Sequence, residues 1–103
     1  MNPRYAGKPF LQLVDCYVLD ALGYLDAVSD AKLATMEPKL HREYDVTGHW
    51  REIVETRMNL PEGFRGAVLE VWRAGLAKFQ AANGHAPDPF EFTRHFVDRN
   101  FPH

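Results

Sequence analysis

Apolar residues recur at helical spacing along nearly the whole chain, and no stretch alternates as a half-buried strand would. Five segments carry the pattern. The first, residues 9–27, opens on Pro9, which suits a first helical turn because no N–H is needed there. At about 100° per residue, Phe10, Leu11, Leu13, Val14, Tyr17, Val18, Ala21, Leu22, Tyr24 and Leu25 cover one broad face. Gln12, Asp15, Leu19, Gly23 and Asp26 form the opposite stripe, with Cys16 and Asp20 near its border. So wide an apolar face predicts a helix at the centre of a bundle, or one partly covered by a second subunit.

The second segment, residues 30–44, carries Leu33, Met36, Leu40 and Tyr44 at helical spacing, with Ser29 as the expected cap. Pro38 lies inside it, so a kink or a division into two short helices is expected. The third, residues 48–58, starts from Thr47 as cap and buries Trp50, Ile53, Val54 and Met58. The fourth, residues 61–83, lines one side with Phe64, Val68, Val71, Trp72, Leu76 and Phe79. The fifth, residues 89–100, sets Phe90, Val97 and Phe101 on one side. Phe92 and Phe96 lie about 140–200° away. Aromatics on two sides of a terminal helix predict a wedge between neighbours.

The junction between the last two segments is strongly punctuated. Asn83-Gly84 tolerates the left-handed conformation of a helix end. Asp88-Pro89 then supplies an N-cap and a first helical position, and Glu91 is placed for a capping box. Short connections favour antiparallel neighbours. The expected fold is all-α: a compact antiparallel bundle of about five helices with no sheet. It is expected to form a single domain over residues 1–103, with 1–8 as a flexible N-terminal arm.

Charge narrows the choice of partner. Twelve Lys and Arg stand against fourteen Asp and Glu, and no run of basic residues reaches three. Affinity for nucleic acid comes largely from phosphate neutralisation, so this balance disfavours it. Cys16 is the single cysteine, so no intrachain disulfide can form. Residues 10–25 are apolar but contain Gln12, Asp15 and Asp20, too short and too acidic a stretch to span a bilayer. Without a charged start followed by an apolar run, no secretory signal is expected. A cytoplasmic protein is the simplest expectation.

The common phosphate, dinucleotide, nucleophile-elbow and zinc motifs are absent, so no catalytic residue and no cofactor is implied. Two pairs have metal-ligand spacing: His49 with Glu52, and Glu91 with His95. Facing each other, they would converge as four ligands of a metal-binding or enzymatic bundle. Asp15 and Asp20 read as solvated and Cys16 as a half-buried structural residue. Arg51, Arg57, Arg65, Arg73, Arg94 and Arg99 would suit a DNA-binding module, but interleaved acids neutralise that surface. The favoured expectation is a non-catalytic interaction or regulatory module. It would hold a protein partner or form a homodimer through exposed members of Leu19, Trp50, Phe92 and Phe96.

Overall fold

A computed structural model describes residues 5–101. The fold is an all-α bundle of α1 (Pro9–Leu22), α2 (Ala27–Tyr44), α3 (Trp50–Arg57), α4 (Phe64–Asn83) and α5 (Pro89–Asn100), with no strand among the described residues. No helix among them is long and apolar enough to cross a membrane.

Helix α1 is the centre: α3, α4 and α5 pack on it, and α2 packs on α3. No residue from Pro9 to Leu22 is exposed. Leu13, Val14, Tyr17 and Val18 meet Leu33, Leu40, Trp50, Ile53, Val54, Val68, Trp72 and Val97 in one core. Each fully buried aliphatic side chain stabilises that core by about 1.5–3 kcal/mol. Two members of the expected solvent stripe are corrected here. Leu19 is 8% exposed and Asp15 only 2%. The projection assumed a wet side, and a helix surrounded by three others has none. Asp15 tolerates burial because the Tyr5 hydroxyl donates to it at 2.7 Å. Of the expected arm, residues 1–4 lie outside the described residues.

Local chemistry sets the boundaries. Gly23 adopts a left-handed conformation (φ 86°), and its N–H closes back on the Asp20 and Leu19 carbonyls, ending α1 before residue 27. Asp26 rather than Ser29 caps α2: its carboxylate accepts from the Ser29 N–H at 2.7 Å, so the helix starts at Ala27. Helix α2 continues through Pro38 as one element. Residue 34 is exposed, so water can satisfy the carbonyl that Pro38 leaves unbonded. His49, not Thr47, caps α3. Helix α5 begins at Pro89 behind the Asp88 cap, which accepts from the Phe90 N–H at 2.8 Å.

The molecule measures 48 × 32 × 26 Å. Its length owes much to α4, whose 20 residues span about 30 Å. Beyond Trp72, only Leu76 on α4 is partly covered. Helix α5 runs back along α4: ring contacts pair Phe79 with His85, Trp72 with Phe92, and Phe64 with both Phe96 and Phe101. The two form a hairpin that each anchors mainly on α1.

Candidate functional site: an open aromatic groove between α4 and α5

The hairpin is not closed along its length. A cavity of about 450 Å³ lies between its arms, lined by Trp72, Gly75, Leu76, Phe79, Pro87, Asp88, Glu91, Phe92 and His95. A second, of about 380 Å³, continues past it along Val71, Phe96, Arg99 and Asn100. The two share Phe92 and His95, so together they form one groove beside α5. Trp72 forms its floor, with Phe92 edge-on at 5.1 Å and Phe96 stacked on Phe92 at 5.9 Å. Phe79 and Val71 stand on the α4 rim, 37% and 50% exposed. Gly75 opens onto the groove: a Cβ there would meet nothing within 4 Å.

Charge is confined to one arm. All the α4 residues lining the groove are apolar, whereas α5 and the turn before it bring Asp88, Glu91, His95 and Arg99. Asp88 and Glu91 sit at the turn end and Arg99 at the far end. Such a surface offers dry contact area with a few polar groups at its limits, which suits binding.

The residues with candidate chemistry elsewhere are occupied by structural work. Arg51 bonds both carboxylate oxygens of Asp20 (2.9 and 3.2 Å) and both of Asp30 (3.2 and 3.1 Å). Arg65 adds a 2.8 Å contact to Asp20. These arginines hold Asp20 below the usual carboxylate range, Arg51 most strongly. Arg51 and the Trp50 indole do the same for Asp30. The indole N–H donates to Asp30 at 2.9 Å, and the Trp50 backbone N–H donates to Glu37 at 3.0 Å. Glu37 thereby satisfies a free donor in the first turn of α3 and complements its dipole. The His41 Nε2–H donates to the Gly48 carbonyl at 2.8 Å, tying the preceding loop to α2. The result is a polar latch joining α1, α2, α3 and α4.

Burial, with the Asp15 and Asp26 charges adding to it, pushes the Cys16 thiol up to about 11. A thiol so protonated is a poor nucleophile near neutrality. Burial and a 2.8 Å hydrogen bond to Glu55 hold the Tyr17 phenol protonated as well, pushed up to about 12.

The four candidate metal ligands do not converge. Glu91 and His95 line the groove, while the His49 Nδ1 accepts from the Arg51 N–H at 3.3 Å as the α3 cap. Glu52 folds against Gly48. Helices α3 and α5 each pack on α1 rather than chiefly on one another. Among the described residues no group of three His, Cys, Asp or Glu side chains could hold a metal.

Of the four residues expected at an exposed surface, Trp50 is fully buried and Leu19 nearly so. Trp50 is buried because Asp30 and Glu37 satisfy both of its N–H groups. Phe92 and Phe96 are partly exposed and belong to the groove. Trp72, Phe79 and Gly75 were missed as site residues. The signal was present in a glycine at mid-helix within the apolar face of α4. Comparison with protein-family models, curated proteins and solved structures gives no match.

Proposed function

We propose that this protein is a non-catalytic binding module whose α4–α5 groove receives a helix from a protein partner. The observation that carries the reading is the groove itself: two end-to-end hollows with an aromatic floor beside a 12-residue helix. Helix α5 is about 18 Å long, so the groove matches some three turns of an amphipathic helix, the usual geometry of helix-in-groove recognition. A compact small-molecule pocket would be more enclosed, with polar groups converging on one point.

Gly75 provides the test. Gly75→Glu sets a carboxylate in the groove where a Cβ meets nothing, and it also raises helix propensity. At a dilution where the chain is monomeric and the groove uncovered, the uncharged dye Nile red should bind the wild-type protein with enhanced fluorescence. It should lose that binding in Gly75→Glu, whose thermal midpoint stays at or above wild type. Gly66→Gln is the control. Gly66 is also an α4 glycine with nothing within 4 Å, but it lines neither hollow. Equal dye binding by all three proteins would refute the reading.

A further inference from the structure

We infer that the groove's occupant is the same groove on a second copy of the chain, packed antiparallel across a two-fold axis. This rests on the binding-module reading above and adds the identity of the partner. The groove's charges are ordered from one end to the other. Along α5 the groove runs from Asp88 and Glu91, through Phe92 and His95, to Arg99. The opposite wall, on α4, contributes Val71, Trp72, Gly75, Leu76 and Phe79 and no charge.

A two-fold interface places one patch against itself, so the patch must be self-complementary. This one is. With the axis near Phe92 and His95, which both hollows share, the acidic end of one copy meets Arg99 of the other, and the contact is made twice. The charges lie 8–11 residues apart along the chain, or about 12–17 Å of helix. That separation leaves the aromatic centre free of charge. A parallel arrangement would set acid on acid and arginine on arginine.

The apolar surface agrees. Phe79 and Val71 stand open on the α4 rim, where a second hairpin would cover them. Two hairpins face to face make four helices around one apolar layer, the arrangement of a four-helix bundle. Gly75, near the middle of α4, lets a facing backbone come close. Helices α2 and α3 line neither hollow.

Light scattering across a dilution series tests the pairing. The expected mass at high concentration is twice the 11.8 kDa of one chain, falling toward one chain on dilution. Glu91→Arg and Arg99→Glu should each weaken association by about tenfold, because a single exchange sets like charges together at two places. The double variant should recover most of that loss. Gly75→Glu should be monomeric and Gly66→Gln should dimerise as wild type, with circular dichroism showing that each variant is folded. Mass of one chain at every concentration overturns the inference, as does a dimer indifferent to Gly75→Glu or to the charge exchange. Nile red separates the two readings. A monomer whose dye binding is lost in Gly75→Glu keeps the groove as a docking site for a different protein, whereas one without that loss ends both.

Discussion

The two sides of α1 are built from similar side chains and finish in opposite states. On one side Trp50 is fully buried, its indole N–H held by Asp30 and its backbone N–H by Glu37, with Arg51 lying 4.4 Å over the ring. On the other, Trp72 lies beneath an open groove whose walls are Phe79, Phe92 and Phe96. The first side closes around a tryptophan whose two N–H groups and neighbouring arginine have polar partners of fixed geometry. The second has aromatic contacts alone, which pack in several arrangements at similar energy. Closure follows from the polar partners, and the apolar residues left without them are the surface available to a partner.

The largest effect should come from cutting one aromatic on each side. Trp50→Ala removes a fully buried side chain from the latch and should cost about 3–5 kcal/mol, enough to unfold much of the population. Phe79→Ala removes a rim residue that is already 37% exposed and should cost below about 1 kcal/mol in the monomer. Urea denaturation at a concentration where the chain is monomeric measures both. Similar losses at the two sites would abolish the distinction between a closed and an open side.

The latch should also respond to acid. Asp20 and Asp30 have their folded values lowered, chiefly by Arg51. A depressed carboxylate adds stability that is fully present above its unfolded value of about 3.9 and is lost as pH falls through the lower folded value. Stability should therefore decline below about pH 4. Arg51→Met, keeping the apolar stem but not the guanidinium, should cost about 1–2 kcal/mol at neutral pH, since the arginine is 28% exposed. It should also flatten the acid limb. An acid limb unchanged in Arg51→Met would mean that other carboxylates carry it.

How far these features could be read from the chain differs by side. Helix periodicity and punctuation gave the five elements, and around residues 83–89 they gave the boundaries too, because Gly84 and Asp88 act within one turn of themselves. The latch could not be read this way. Asp20 meets Arg51 across 31 positions and Trp50 meets Asp30 across 20, and periodicity carries no information about pairs so distant. That is why Trp50 looked available and Asp15 looked wet. The groove was half visible: aromatics on two sides of α5 pointed to Phe92 and Phe96. Its α4 wall was read as uniform core, since an apolar stripe does not show where its neighbour stops short.

The smallest expected effect concerns the side of α5 turned away from the groove. Thr93 is 1% exposed, and its hydroxyl has no hydrogen-bond partner among the described residues. A helical threonine normally returns its hydroxyl to a carbonyl three or four residues earlier. This one does not, so a desolvated donor sits against α1 uncompensated. Thr93→Val keeps the branched shape and removes the polar atom, and it should stabilise the monomer by up to about 1 kcal/mol. Thr93→Ser keeps the hydroxyl and loses the methyl, and should destabilise by a similar amount. If the valine lowers stability instead, the hydroxyl has a partner in solution. If it raises stability without altering self-association, α5 is anchored on α1 by one face while its other face remains free to bind.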